Sequence, residues 1–336
     1  MHLPHKSGTV QRTFSRLARD SRAFVALLIA VMSAGSVATA QTPQPLTIRV
    51  AASVNADVAP LIYAVQKGLF TNAGINVDFM PMATGAAISQ GVVGGSIDIG
   101  FANTPALIAG HARGVPFLLI APAGAYDTNN PATVMVVRKD APFSSGRDFA
   151  GKTIGVPTLK DLDALATASW VDAHGGNSDS LRYVELPNPA LLPALLEGRI
   201  DGFTLGEPWV TQALASGQTR LFAKSLDAIG LHFITTGWFS TAPFIDAHRD
   251  AVIRFERVLQ DATIYANAHV TEMTPYMAMF SKLDPAMIAR TMRFQHPTVL
   301  DPKLIQPMID VSVRLHVIPK SFDARELISP TALVAR

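Results

Sequence analysis

From Leu46 onward the apolar positions switch repeatedly between strand-like and helix-like spacing. Leu46–Ala51 reads as a short strand, and Ala59–Phe70 carries apolar residues at helical spacing before a stop at Ala73-Gly74. Ile75–Phe79 alternates like a strand, Ala86–Val93 reads as a small-residue helix, and Ile97–Phe101 as a strand. Pro105–Ala112 predicts a helix and Phe117–Ala121 a strand. The turn-rich stretch Gly124–Pro131 then breaks the pattern. It restarts with strands at Thr133–Val137, Lys152–Val156, Leu181–Glu185, Ile200–Phe203 and Arg220–Ala223. Helical stretches at Asp161–Ala173, Pro189–Glu197 and Pro208–Ala215 lie between them. A strand at Phe233–Ser240 follows, and from Pro243 the chain reads as mostly helical. There Asp284-Pro285 and Asp301-Pro302 each put a capping residue before a proline at the first helical position.

Strands alternating with helices predict an α/β fold, with parallel sheets covered by helices on both faces and right-handed crossovers. Two blocks separated by a break predict two α/β lobes, with the helical tail packed on one of them. The chain passes between the blocks near Tyr126–Pro131 and again near Ala228–Phe233, and these two crossings are the expected hinges. Ligands of such folds sit in the crevice at the carboxyl ends of the strands.

The segment before Leu46 has another character. Arg12, Arg16, Arg19 and Arg22 precede an apolar run from Ala23 to Met32, and a small-residue stretch ends in Ala38-Thr39-Ala40. This is the layout of a cleaved signal peptide over residues 1–40. The apolar run is well short of the roughly 20 residues that span a membrane. No Arg-Arg pair is present, which favours the Sec route over the twin-arginine route. The chain has no cysteine, hence no lipoprotein anchor and no disulfide. A soluble periplasmic protein, stabilised by its core alone, is expected. Removing the leader also changes the charge. The whole chain is formally +2, whereas the part after Ala40 holds 23 basic and 25 acidic residues. No basic stripe with interleaved aromatics appears, so nucleic acid is not an expected partner.

Catalytic signatures are missing from the sequence. There is no G-x-x-x-x-G-K-[ST], no H-E-x-x-H and no G-x-S-x-G. His111, His174, His232, His248, His269 and His296 show no ligand-like spacing and read as surface or capping residues. No catalytic residue, metal or cofactor is therefore expected. Asp98 and Asp201 occupy similar settings, Gly-Ser-Ile-Asp-Ile-Gly and Gly-Arg-Ile-Asp-Gly-Phe. Both read as structural residues where a helix hands over to a strand.

The strand-to-helix turns carry more. Thr84-Gly85 enters a helix with little side chain in the way of a ligand. Asn103-Thr104-Pro105 places a cap and a first-turn proline. In the second block Thr158 or Asp161 caps a helix, with Lys160 facing either the cleft or water. Glu207-Pro208-Trp209 puts an indole on a first turn, where it can stack on a ligand. Trp238 reads as core or as a ligand contact. Free N–H groups at helix starts favour anions by ~0.3–1 kcal/mol each. Their convergence favours a small anionic ligand.

These pieces resemble a known family. Ala59-Pro60-Leu61-Ile62-Tyr63-Ala64-Val65-Gln66-Lys67-Gly68-Leu69-Phe70 looks like the first helix of periplasmic substrate-binding proteins of the nitrate/sulfonate/taurine class, also called SsuA/THI5-like or NMT1-like. Gly74–Asp78, Gly95–Gly100, Asp148–Val156, Glu197–Gly202 and Glu207-Pro208-Trp209 match further family segments in order. The resemblance runs over Leu46–Ala268 and implies a type II periplasmic-binding-protein fold, two α/β lobes joined by two hinge crossings. Residues 41–127 and 234–336 would form the first lobe and 128–233 the second. It implies capture of a small sulfonate- or carboxylate-type organic molecule for an ABC permease and ATPase, by a monomer that is not an enzyme. Implied ligand contacts are Ser53, Asn55 and Asp57 after the first strand, with Thr84, Gly85, Asn103, Thr104, Thr158, Glu207 and Trp209 in the turns; Lys160 and Trp238 complete the candidate set. Related sulfonate and nitrate binders often carry Gly-Ser where this chain has Leu159-Lys160, which leans the expectation toward an organic acid with Lys160 as its carboxylate partner. The alternatives are a ligand-presenting partner of a membrane sensor, and a thiamine-pyrimidine-precursor binder or synthase-like relative. The synthase branch carries a cysteine-rich motif that this chain lacks.

Overall fold

The computed structural model describes residues 45–291 and 295–335. The signal peptide expected over residues 1–40 lies outside the described residues.

Ten strands form two separate sheets. β1 (Leu46–Ala52), β2 (Ile75–Pro81), β3 (Ile99–Asn103) and β4 (Phe117–Asp127) are joined in one sheet by the last strand, β10 (His232–Thr241), in the order β2-β1-β3-β10-β4. β5 (Thr133–Arg138), β6 (Thr153–Val156), β7 (Arg182–Glu185), β8 (Gly202–Gly206) and β9 (Thr219–Ala223) make the other, in the order β7-β6-β8-β5-β9. These are the two α/β lobes. Twelve α-helices are described. The first lobe holds α1 (Ala59–Gln66), α2 (Leu69–Asn72), α3 (Gly85–Val93) and α4 (Thr104–Ala112). α5 (Leu162–Ala173), α6 (Asn188–Leu196) and α7 (Trp209–Ala215) belong to the second. The tail supplies α8 (Ala242–Ala247), α9 (Arg249–Ala268), α10 (Thr274–Ser281), α11 (Pro285–Thr291) and α12 (Pro302–Arg314).

The sheets are mixed, not purely parallel. β10 runs antiparallel to β3 and β4, and β5 runs antiparallel to β8 and β9. The reversed strand of each sheet is the one that arrives directly from the other lobe. A strand that enters without a crossover helix comes in from the opposite end, so the alternating pattern cannot announce its direction.

The turn-rich stretch also begins later than its composition suggests. Gly124, Ala125, Tyr126 and Asp127 lie inside β4, paired with β10 down to His232↔Asp127. Gly124 is there for closeness and not for a turn: a Cβ on it would overlap the Asp57 carboxylate. The predicted helix Ala59–Phe70 is likewise two pieces. Gly68 breaks it with φ of 66°, a left-handed geometry that suits glycine.

Each sheet is packed on both faces. In the first lobe Ile48, Val50, Phe101 and Trp238 pack with Leu61 of α1, Phe70 of α2 and Phe255 of α9. Phe239, one residue after Trp238, points to the other face with Ile88, Leu107 and Met308 from α3, α4 and α12. In the second lobe Val134 and Val136 pack with Leu191, Phe203 and Trp209, while Met135 and Val137 pack with Phe149, Ile154 and Trp170. This period-two split is the strand signal of the sequence made into two layers. The helical tail covers the first lobe, with α9 against α1 and α12 against α4 and β10. Asp301 and Asp284 accept from Lys303 N (2.9 Å) and Ala286 N (2.6 Å), as helix-starting residues do.

The lobes also touch. Leu162, Leu165 and Ala166 of α5 join the apolar cluster of the first lobe. Arg314 at the end of α12 donates through Nη2 to Ser169 Oγ (3.1 Å) and to Ala228 O (3.3 Å).

Candidate functional site

The repeated Asp settings explain themselves locally. Asp98 accepts Arg49 N (2.8 Å) and both ends of the Arg49 guanidinium (2.6 and 3.0 Å). Asp201 accepts Thr153 N at 2.8 Å in the other sheet, with Lys152 Nζ 3.8 Å away. Each carboxylate ties a neighbouring strand, β1 at its middle or β6 at its start, to the end of a helix-to-strand turn. They serve two sheets and are not a catalytic pair.

A cavity opens between the lobes where the carboxyl ends of β1, β3 and β8 meet the helix starts. Its free volume is about 80 Å³, room for a small solute group between the two lobes. Ser53, Asn55, Asp57, Thr84, Gly85 and Asn103 line it from the first lobe. Thr158, Glu207 and Trp209 line it from the second. The strand ends deliver these residues because a parallel strand hands over to its helix at that edge.

Three candidates lie elsewhere. Thr104 is fully buried and donates through Oγ1 to the carbonyls of Ile234 and Thr235, both at 3.2 Å, so it holds α4 to β10. Trp238 is 1% exposed and packs edge-on against Phe101, the ring centroids 5.4 Å apart. Its face of β10 turns into the core, and Phe101 stands between it and the cavity lining. Lys160 is exposed, with φ of 57°, and is not among the lining residues. The tight turn it occupies throws its chain to solvent.

Thr84 and Asn55 act on backbone as well. Thr84 accepts Ala87 N (3.3 Å) at the start of α3, and Asn55 accepts Asp57 N (2.8 Å). Glu207 caps its own helix, accepting Thr211 N (3.0 Å) and Thr211 Oγ1 (2.9 Å). Contacts cross the cavity. Trp209 Nε1 reaches Val54 O at 3.5 Å, and Ala56 N donates to Glu207 O at 3.4 Å.

The sequence reading named Asp57 and Glu207 but missed the two other carboxylates of the lining, Asp161 and Asp163. Asp161 was expected only as a helix cap, as the alternative to Thr158. It holds that position before α5, but its side chain makes no capping hydrogen bond. Its carboxylate turns to the cavity, where Oδ2 accepts Asn103 Nδ2 across the cleft at 2.8 Å. Asp163, Tyr126, Asn188, Thr235 and Thr236 also line the space. Asp-x-Asp at the start of an otherwise apolar helix is a signal that could have found Asp161 and Asp163, because the first turn of a buried helix exposes little but the cleft.

Burial sets the electrostatics. It lifts the Asp161 carboxyl to about 6, against the opposing pull of hydrogen bonds from Asn103 and from the Leu162 backbone. Asp163 is raised well above its ordinary value by burial and by the neighbouring charge of Asp161. Glu207 is raised by burial, with Thr211 working against it. Asp57 is raised by burial, which outweighs the nearby His296 and the hydrogen bond from Thr236 Oγ1 (2.7 Å). His296 departs from the surface role expected of it. It is buried, and its Nδ1 donates to Ala123 O at 3.1 Å. Among the described residues no group of His, Cys, Asp or Glu is arranged to hold a metal ion.

The comparisons follow this geometry. A Bacillus subtilis (strain 168) protein named for binding aliphatic sulfonates is 21% identical over 291 residues, 83% of this chain and 85% of that one. A Haemophilus influenzae protein named for thiamine biosynthesis is 25% identical over 291 residues, covering 81% of this chain and 88% of its own length. The solved alkanesulfonate-binding protein SsuA of Xanthomonas axonopodis pv. citri, bound to MOPS, superposes with a TM-score of 0.71 at 20% identity, over 87% of this chain and 99% of that one. The fold is thus that of periplasmic binding proteins. The family model described as NMT1/THI5 like matches residues 55–273, most of both lobes, and the chain belongs to that family.

Proposed function

We propose that this chain is the periplasmic solute-binding component of an ABC importer, which captures a small organic molecule between its lobes and presents it to a permease and its ATPase. The observation that carries this reading is the interlobe cavity, lined by strand-end and helix-start residues from both lobes of a fold shared with sulfonate-binding proteins. Ser53, Asn55, Asp57, Thr84, Gly85, Asn103, Thr158, Glu207 and Trp209 are its ligand-contacting residues. Export follows from the leader, and the protein works as a monomer. Residues 41–127 and 234–336 move against 128–233, since a ligand that contacts both lobes favours the closed arrangement. The site binds and does not turn its ligand over.

Native mass spectrometry of gently purified protein tests this. The expected result is a small-molecule adduct that leaves on unfolding and is chemically unchanged after incubation. Conversion of the released molecule by the protein contradicts the reading.

A further inference from the structure

The charges around the cavity are one-sided. Four carboxylates line it, Asp57 from the first lobe and Asp161, Asp163 and Glu207 from the second. No lysine, arginine or histidine is among the described lining residues, and Lys160, the basic residue expected there, stands exposed outside it. Two of the four carboxylates already have work within the protein or a neighbour to answer. Asp57 takes the Thr236 hydroxyl and faces His296, while Glu207 caps α7. Asp161 is different. It is 7% exposed, and the hydrogen bond it takes from Asn103 falls on Oδ2. Its Oδ1 is buried and has no hydrogen-bond partner among the described residues. A buried carboxylate oxygen without a donor is costly, and a lining residue in that state calls for a donor from outside the protein. Asp163 stands two residues on, on the same first turn, and is also 7% exposed.

We propose that the ligand of this cleft presents a protonated nitrogen group, such as an amine, amidine or amino-substituted heterocycle, to Asp161 and Asp163. The proposal rests on the solute-capture reading above and names the chemistry of the group that the second lobe recognises. Such a group supplies N–H donors to Oδ1 and positive charge to a wall that has none of its own. Burial lifts both carboxyls in the ligand-free protein, and a cation beside them draws them back down, offsetting the cost of their buried charge. An anionic group elsewhere on the same molecule has the helix-start turn Thr84-Gly85 to meet, on the opposite lobe.

Matched probes test this by thermal shift and calorimetric titration of the intact protein. The pairs are taurine against ethanesulfonate, propylamine against propane-1-sulfonate, and benzylamine and benzamidine against benzenesulfonate and benzoate. The expected result is that the nitrogen-bearing member binds at least tenfold more tightly in the pair that best fits the cavity. The Asp161→Asn, Asp163→Asn double variant loses at least tenfold in affinity for that probe while keeping its cooperative melt. An anion without nitrogen that binds as tightly as its partner, or a double variant with unchanged affinity, overturns the proposal and leaves solute capture standing. A flat panel, together with no adduct in native mass spectrometry, overturns both.

Discussion

The two walls of the cleft solve the same geometric problem with different chemistry. In the first lobe Ser53, Asn55, Thr84, Gly85 and Asn103 offer hydroxyls, amides and bare backbone, its one carboxylate, Asp57, is held by Thr236, and its tryptophan, Trp238, is packed against Phe101 in the core. In the second, Asp161, Asp163 and Glu207 bring carboxylates, and its tryptophan, Trp209, reaches the cavity. Both walls are built from helix starts, so both carry the same favourable partial charge toward anions. That contribution is ~0.3–1 kcal/mol per helix. A full negative charge ~6 Å from an anion opposes it with ~3 kcal/mol at an effective dielectric near 20. Side-chain charge therefore outweighs helix geometry, and the second wall decides what polarity of group the cleft accepts there.

The largest expected effect separates the two tryptophans. Trp238→Ala empties a core position and costs ~3–5 kcal/mol of stability in a urea titration. Trp209→Ala, at the cavity edge, costs less stability and weakens ligand binding by calorimetry. Equal loss of affinity in the two variants breaks the assignment of Trp238 to the core.

On the first wall, Gly124→Ala pushes a methyl group into the Asp57 carboxylate. The expected destabilisation is ~1–3 kcal/mol, read from the same titration. Unchanged stability shows that Asp57 moves freely and is not held by β4 and Thr236.

The second wall carries a pH signature. Asp161 is near its ordinary carboxyl value when unfolded and is lifted to about 6 when folded. Between those two values the folded state binds more protons. Its contribution to stability is thus fully present at low pH and is lost as pH rises from about 4 through about 6. Asp161→Asn keeps an acceptor for Asn103 and carries no charge. It is expected to raise the stability of the ligand-free protein at pH 7 by ~1–3 kcal/mol and to flatten the slope over that window. Glu256, lifted to about 7 by burial, adds a further slope that both proteins share. Parallel pH profiles for the two proteins remove Asp161 from the account.

The smallest expected effect is at Lys160. Its side chain is exposed and outside the lining, so Lys160→Ala changes stability by no more than ~0.5 kcal/mol and leaves affinity unaltered. A tenfold loss of affinity returns a cation to the cleft and blurs the contrast between the walls.

Much of this was legible in the chain. Alternation and helical spacing located most strands and helices, because each sheet is packed on both faces and its helices are amphipathic or fully buried. Thr84, Gly85, Asn103, Thr158, Glu207 and Trp209 were legible as cavity residues because strand-to-helix turns converge on one edge, whereas Ser53, Asn55 and Asp57 were named through the family resemblance. What escaped was set by tertiary contact. The reversal of β5 and β10 depends on which lobe each strand arrives from. Gly124 looked like a turn residue, yet it makes room for Asp57, which is far away in sequence. Asp161 carried the sequence signature of a cap, and only the packing of α5 against the first lobe shows why its carboxylate turns to the cavity.

The central claim is that a solute sits between these walls with a nitrogen against the second. A crystal structure of the protein with the ligand it retains on purification tests this most directly. The account predicts a ligand nitrogen within hydrogen-bonding distance of Asp161 Oδ1, with Trp209 and Thr84 on opposite sides of the same molecule. A ligand that places an anionic oxygen against Asp161, or that binds outside the cleft, contradicts it.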